Sequence, residues 1–593
     1  MAKIEVLQGK LKEYLTEYFE GYGITSPEIN FESPDQDEFG DISCNACLKY
    51  AKVLGRNPND IAEGAIGFLK GKSIDEVEDV KFAPPGYINI YLNSKFTKGV
   101  LDDIIRLGDR YGSNLAFKGE KWVIEHTSPN PNKAMHLGHL RNNLIGMSIA
   151  RLLEYSGARV ICDAVDNDRG IAIAKLMWGF LSHMKRDEKV PTSLAYWHAN
   201  KGEWYAPQDV DMLPDRFVSK CYVMGEDDFK HDPSVEAMVR DFVVKWDEGD
   251  SLVRELWSYV LNYSYEGMNR TLSRIGNRWD KVWHEHEHYR EGKDFVRTGL
   301  KKGIFVQLED GAILTDLSRY DLPDTILLKK DGTSLYITQD IALTALKKNE
   351  YEADKLIWVI GPEQSTAMKQ LFAVCEQLGI GRLSDFIHVS YGYVGLKTSD
   401  GFKKMSSREG TVVLIDDLVD LAKTKILERS LKEGSEGYDA ALAEKLALSA
   451  VKFSLLKVER TQDIAFDVER SIDVQGDTGI YLQYTCARIS SMLRKASSEG
   501  SAICPQTTKT AEGVIKKLAM FDSVVRRSVV GYSAHHVSQF LLQLCSDFNS
   551  WYNKETILDD GAEQPHKLAV AKCSLQVINN GLSLLGIDAV DRM

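Results

Sequence analysis

The sequence predicts an α/β protein of more than one domain: a parallel-sheet unit with a helical insertion, an α+β unit before it and an all-α bundle after it. Three observations predict this. Between residues 116 and 425, strand-like and helix-like segments alternate, as a parallel sheet with crossover helices requires. From 185 to 270 the alternation gives way to a stretch rich in charge and Trp, which reads as the helical insertion. From 426 onward strand signals fade and helical apolar periodicity takes over. At 593 residues the chain can bury several cores, and its 44% hydrophobic and 27% charged content is ordinary for a globular protein.

The first unit, residues 1–115, opens on MAKIEVLQGKLKEYLTEYFEGYG. Glu among its apolar positions marks an amphipathic helix and not a targeting peptide. A turn is expected at Ser33-Pro34-Asp35, and a strand from Tyr87 to Leu92 after Pro84-Pro85-Gly86. Cys44-x-x-Cys47 is the one close cysteine pair among nine, too little for a four-ligand zinc site. Its context, ISCNACLKYAKVL, reads as one helix with both thiols near a buried face, in a reducing compartment.

In the central unit, Lys121 to Thr127 reads as a strand. Leu140 to Tyr155 reads as a helix stopped by Gly157, and Val160 to Val165 as the next strand. This puts His136 at a helix N-terminus beside a strand's carboxyl end, where doubly wound folds bind nucleotide phosphates. Further strands are expected at Ile326–Leu328, Leu356–Ile360, Ile387–Tyr391 and Thr411–Ile415. EKLALSAVKFSLLKV and YLQYTCARISSMLRKA give the helices of the C-terminal bundle. No run of about 18 apolar residues predicts a membrane span, so the chain is expected in the cytoplasm. The net charge of −13 speaks against a general nucleic-acid binder and leaves room for local RNA-binding patches.

Two separated motifs carry chemistry. His136-Leu137-Gly138-His139 sets two imidazoles on one helix face, with a glycine that lets a ligand approach the backbone. Such groups can stabilise charge building on an α-phosphate under attack. The pattern also occurs in small nucleotidylyltransferases and by itself names no reaction. Far downstream, Lys403-Lys404-Met405-Ser406-Ser407-Arg408 sits in a Gly/Ser loop whose lysines can clamp β- and γ-phosphates as pyrophosphate leaves.

Together the two motifs resemble the HIGH and KMSKS signatures of class I aminoacyl-tRNA synthetases. Within that class the chain resembles the arginyl-tRNA synthetases over nearly its whole length. Glu125-His126-Thr127-Ser128-Pro129-Asn130-Pro131-Asn132-Lys133 is similar to that family's leader before the first signature. Leu322-Pro323-Asp324, Tyr336-Ile337-Thr338-Gln339-Asp340-Ile341-Ala342 and Val359-Ile360-Gly361-Pro362-Glu363-Gln364 match later segments.

The resemblance implies a Rossmann-type catalytic domain at 116–425, an N-terminal tRNA-elbow domain at 1–115 and a helical anticodon-binding domain at 426–593. It implies that Glu125, Tyr336 and Asp340 face the guanidinium of L-arginine, an assignment consistent with the directed hydrogen bonds a planar cation needs. Ser128, Asn130 and Gln364 would hold its amino and carboxylate groups. ATP, carried with Mg²⁺, would meet His136, Gly138, His139, Lys403, Lys404, Met405 and Ser406; His136, His139, Lys133 and Lys404 would be catalytic. The second lysine of KMSKS is Ser407 here, and Lys133 is the expected substitute. tRNA(Arg) would contact Tyr481, Tyr484, Arg488 and Asn89, and its presence is implied for the first step.

Two departures stand out. The family's G-D-W-G-T-Q segment reads Asn167-Asp168-Arg169-Gly170-Ile171-Ala172, which leaves ribose and adenine contacts there open, and a histidine common after Gln364 is Ala367. The run His284-Glu285-His286-Glu287-His288 would set three imidazoles on one strand face and is read as an ordinary strand, with no metal site and no structural zinc expected. Monomer is the default. Three other readings are a synthetase for another amino acid, a nucleotidylyltransferase and a non-catalytic RNA-binding relative. Against them stand the paired acids with Tyr336, the length of the chain with its C-terminal bundle, and the intact signatures.

Overall fold

The computed structural model describes residues 3–32, 34, 39–398, 401–404, 413–432, 438–559 and 561–593. The chain divides into two compact units, one of Leu115–Ile472 with Tyr532–His535, the other of Met1–Asn114, Asp473–Gly531 and His536–Met593.

The larger unit is built on a wholly parallel five-stranded sheet. Its strands are β1 (Lys121–Glu125), β2 (Arg159–Asp166), β3 (Lys281–His284), β4 (Lys355–Val359) and β5 (Phe386–Val389), in the order β5-β4-β1-β2-β3. Runs such as Trp122-Val123-Ile124 and Leu356-Ile357-Trp358-Val359 are buried throughout, as strands covered by helices on both faces must be. Helix α1 (Leu137–Tyr155) carries β1 over to β2, and α6 (Tyr336–Tyr351) leads into β4. Strand order reverses between β1 and β4, so a crevice opens at their carboxyl ends.

The insertion is helical, as expected: α2 (Ile171–His183) is followed by α3 (Pro214–His231), α4 (Pro233–Glu248) and α5 (Ser251–Ile275). Trp178, Trp197, Trp204, Phe217 and Trp246 pack into its core. Helices α2 and α3 touch backbone to backbone: a Cβ on Gly179 would lie 1.9 Å from the Cys221 carbonyl oxygen, and one on Gly225 would lie 2.0 Å from that of Lys175.

Ile326–Leu328 is a strand, as expected, and pairs antiparallel with Ile313–Leu314 in a separate three-stranded sheet. Three expectations are corrected. Of Thr411–Ile415, the described residues form no strand: Leu414 makes a single antiparallel bridge to His136, and a helix, Ile415–Lys432, begins at once. The aspartates Asp416 and Asp417 in its first turn favour that start. The HEHEH run does not lie on one strand face, because β3 ends at His284 and Glu285–His288 is a helical turn. Cys44 closes a strand, Ile42–Cys44, while Cys47 lies in the helix Ala46–Leu54. Both thiols are buried, and burial pushes them up to about 11 and about 12.

The smaller unit joins the two ends of the chain. A four-stranded antiparallel sheet, including Tyr87–Leu92, is flanked by helices such as Lys3–Glu20 and Ser94–Leu107. The long helices Gly479–Ser498 and Gln564–Leu584 belong to the same unit. The Tyr111 hydroxyl donates to the Leu518 carbonyl at 3.1 Å, and Arg526 pairs with Glu5 at 2.6 Å. The Asn580 amide donates to the Gly108 and Tyr111 carbonyls. Among the described residues no helix is long and apolar enough to cross a membrane.

Candidate active site

A cavity of about 710 Å³ occupies the crevice above β1 and β4. Its walls carry Glu125, Ser128, His136, Gly138, His139, Tyr336, Asp340 and Gln364, so one space gathers the first signature and most of the arginine-site candidates.

His136 is the N-cap of α1, its extended backbone (φ −119°, ψ 174°) turning the chain off β1 into the helix. Its Nδ1 accepts the Gly138 N–H at 3.1 Å, while Nδ1 of His139 accepts the His136 N–H at 3.1 Å. The two rings stack at 3.8 Å. Burial, reinforced by the charge of Lys133, lowers His136 to about 4; burial, then His136 and Lys133, hold His139 well below the usual histidine range. Both rings are therefore neutral at pH 7. With Nδ1 accepting, the remaining proton of each sits on Nε2, and the pair offers two N–H donors and no cation. A Cβ on Gly138 would meet the His136 ring at 3.0 Å, a tight contact that glycine avoids where the imidazole folds back over the helix start.

Met405 and Ser406 lie outside the described residues. The backbone of Lys403 and Lys404 closes a hairpin, Lys404 opposite Gly395 and one residue along from the cavity-lining Val394. On the far side of the motif, the Leu137 N–H donates to the Val413 carbonyl and the Ile415 N–H to the Met135 carbonyl. The chain thus returns directly beside the first signature.

Two residues of α1 escaped sequence reasoning. Arg141, 1% exposed, spends its guanidinium on four backbone carbonyls, those of Gly392, Tyr393, Arg460 and Gln462, at 2.6 to 3.1 Å. Asn142 donates to the Val359 carbonyl at 2.6 Å and accepts the Thr127 N–H at 2.6 Å. That second bond holds Thr127 at φ +54°, a strained setting for a β-branched residue at the cavity wall. Nothing in the sequence marked either residue, since the helix LGHLRNNLIGMSIARLLEY carries other polar side chains and a second arginine, Arg151.

The acids are not equivalent. Register sets Glu125 of β1 beside Asp163 of β2, two like charges on neighbouring strands. Lys347 of α6, itself 1% exposed, bridges them at 2.8 and 2.9 Å. Burial opposes its charge, but the two carboxylates outweigh burial and raise it above the usual lysine range. Asp340, two turns earlier on the same helix, is exposed to the open cavity and, among the described residues, has no such partner. The protein walls of the crevice desolvate its carboxyl group and, with the charge of Glu125, push it up to about 7. The i, i+7 spacing of Asp340 and Lys347 was a readable sign that both face one way.

The remaining candidates scatter. Ser128 lines the cavity and its Oγ accepts the Val165 N–H at 2.9 Å. Asn130 is exposed, with its Oδ1 taken by Asn167. Tyr336 is 81% exposed at the start of α6. In the smaller unit, Asn89 is 3% exposed and bonded to Ser43, with no face open to an RNA base. Arg488 donates to the Tyr484 hydroxyl at 2.6 Å and to Asn549 at 2.9 Å, and Asn549 donates in turn to the Tyr481 hydroxyl. Asn549 and Tyr552, whose ring lies 5.2 Å from the Arg488 guanidinium, complete that cluster.

Residues 103–468 match the family described as tRNA synthetases class I (R), catalytic domain; residues 482–593 match the DALR anticodon binding domain, and residues 5–92 the arginyl tRNA synthetase N terminal domain. The arginine–tRNA ligase of Treponema denticola is 33% identical over 592 residues, covering 96% of each chain. That of Bacteroides thetaiotaomicron is 34% identical over 590, covering 96% and 97%. The solved Thermus thermophilus arginyl-tRNA synthetase superposes with a TM-score of 0.80 at 23% identity, over 99% of this chain and 100% of that one, and shares its fold. A parallel-sheet catalytic unit, a helical C-terminal region and these matches together make the chain a member of the arginyl-tRNA synthetase family of class I aminoacyl-tRNA synthetases.

Proposed function

We propose that this chain is an arginine–tRNA ligase that activates L-arginine with ATP and transfers the arginyl group to the terminal adenosine of tRNA(Arg). The observation that carries the reading is the single cavity in which a helix N-terminus with two neutral imidazoles adjoins Glu125 and Asp340.

The arginine carboxylate attacks the α-phosphate, forming the arginyl-adenylate and expelling pyrophosphate. The Nε2–H groups of His136 and His139 donate to the phosphoryl oxygens as charge builds, and the helix N-terminus adds its partial positive charge. Lys133 and Lys404 answer the charge of the departing pyrophosphate, with Lys403, Met405 and Ser406 completing that contact. Mg²⁺ bound with ATP would supply positive charge against the phosphates, beside that of Lys133 and Lys404. Asp340 and the Glu125 oxygen not held by Lys347 receive the guanidinium, with Tyr336 beside them; Ser128 and Gln364 hold the far end of the amino acid. In the second step the terminal ribose hydroxyl of the tRNA takes the acyl group, while Tyr481, Tyr484 and Arg488 offer a stacking surface to unpaired anticodon bases. The chain acts as a cytoplasmic monomer.

Pyrophosphate exchange with each amino acid, with and without tRNA, followed by charging of tRNA(Arg), tests the reading. Exchange specific to arginine together with arginyl-tRNA formation is expected; exchange with another amino acid, or tRNA binding without either reaction, would overturn it.

A further inference from the structure

The reaction above leaves His284 and His286 without a role. Register sets His284, the last residue of β3, beside Asp166, the last of β2. Its Nδ1 lies 2.9 Å from Asp166 Oδ2 and 3.5 Å from Asp168 Oδ2. The helical turn Glu285–His288 then brings His286 to the same place, with Nδ1 2.5 Å from Asp168 Oδ2 and the backbone N–H 3.1 Å from Oδ1. One donor atom from each of Asp168, His284 and His286 falls within 4.8 Å of the others. Asp166 Oδ1 is buried without a hydrogen-bond partner. The third histidine, His288, packs edge-on against Trp283, 6.3 Å away.

We propose that Asp168, His284 and His286 form a binding site for a divalent transition-metal ion of the Zn²⁺ type, with Asp166 as a further donor. The expectation of no metal rested on reading the run as an ordinary strand, and the helical turn Glu285–His288 removes that premise. Two carboxylates with side chains 0% and 6% exposed converge on this point. The adjacent cation, Arg169, is engaged by Asp247 and Glu285 instead. A single dication answers both carboxylates.

The donor set is right for such an ion. Two imidazole nitrogens with carboxylate oxygen suit zinc, cobalt or nickel better than magnesium or calcium. Bonds of about 2.0–2.1 Å put tetrahedral donors roughly 3.3 Å apart, so separations of 2.5, 2.9 and 3.5 Å need shifts below about 1 Å. The donors are also oriented from outside: the Tyr265 hydroxyl donates to Asp166 at 2.5 Å, and the Trp257 ring meets the His286 ring edge-on at 5.1 Å. Both imidazoles are about one-third exposed, which gives an ion a way in. Asn167, between the two aspartates, lines the cavity, so an ion here braces the β2 wall of the active site.

The test uses the full-length protein, stripped with a chelator, transferred to buffer containing excess Mg²⁺ and titrated with Co²⁺. One equivalent is expected to bind with a visible d–d absorption band and to be displaced by Zn²⁺ but not by Mg²⁺. His284→Asn and His286→Asn should lose the band, and Asp166→Asn should weaken binding by roughly 10–100-fold. Folded wild-type protein that holds no more Co²⁺ than a folded His284→Asn/His286→Asn variant would overturn the proposal. Should the variants not fold, X-ray absorption of the zinc-loaded wild type decides: a first shell with imidazole supports the site, and one without it refutes the site.

Discussion

Asp340 stands at pH 7 with its carboxyl group poised between charged and neutral, because desolvation by the crevice walls and the charge of Glu125 push it up to about 7. The folded protein therefore holds that proton more tightly than the unfolded chain does. The group's contribution to stability is full below the ordinary carboxylate range and is lost as pH rises through about 7. A guanidinium requires the ionised form, so the KM for arginine should fall as pH rises from 6 to 8. Asp340→Asn should abolish that pH dependence and raise the KM for arginine, since the guanidinium loses one of its two carboxylate partners; exchange assays across pH check both. Lys347→Met should cost about 3–5 kcal/mol of stability by urea titration, since it leaves Glu125 and Asp163 facing each other uncompensated. Lys133→Ala should lower the rate of adenylate formation more than arginine binding; near-normal single-turnover activation would contradict its assigned role. The imidazole pair, Glu125 and Asp340 could all be placed from the sequence. Lys347 and Arg141 could not, because their partners lie on other strands and loops, and one chain does not print which carboxylate a buried cation will meet.

At the scale of elements, strand and helix positions in the parallel sheet were readable to within a few residues, since apolar runs and the glycine stop are local signals. What the sequence left unread depends on pairing. Ile326–Leu328 has strand chemistry, but its partner, Ile313–Leu314, is itself a two-residue segment with no pattern to read. The His284–His288 run kept its alternation on paper, while Asp168, capturing the His286 N–H, favours a helical turn. The closest helix crossing, at Gly179 and Gly225, was equally silent. Either glycine changed to alanine forces a Cβ onto a carbonyl oxygen at about 2 Å; the helices must separate, and thermal unfolding should show a loss at or above the upper end of the roughly 1–3 kcal/mol typical of overpacking.

Across the whole molecule, the residues proposed to face tRNA, Tyr481, Tyr484 and Arg488, sit in the unit that contains both chain ends. Arg488→Ala removes the hydrogen bonds to Tyr484 and Asn549 that order the aromatic cluster. It should raise the KM for tRNA while leaving the KM for ATP unchanged, and an equal rise in both would argue against this surface. The joint unit also has a bearing on biosynthesis. A ribosome delivers Met1–Asn114 first and must then translate residues 115–472 before any of the later helices emerge. At about 5–20 residues per second that interval is roughly 20–70 s. Until it ends, the nascent chain shows bare the patch at Gly112 that Phe521 later fills and the carbonyls that Asn580 later satisfies, which makes that patch a natural hold for a chaperone.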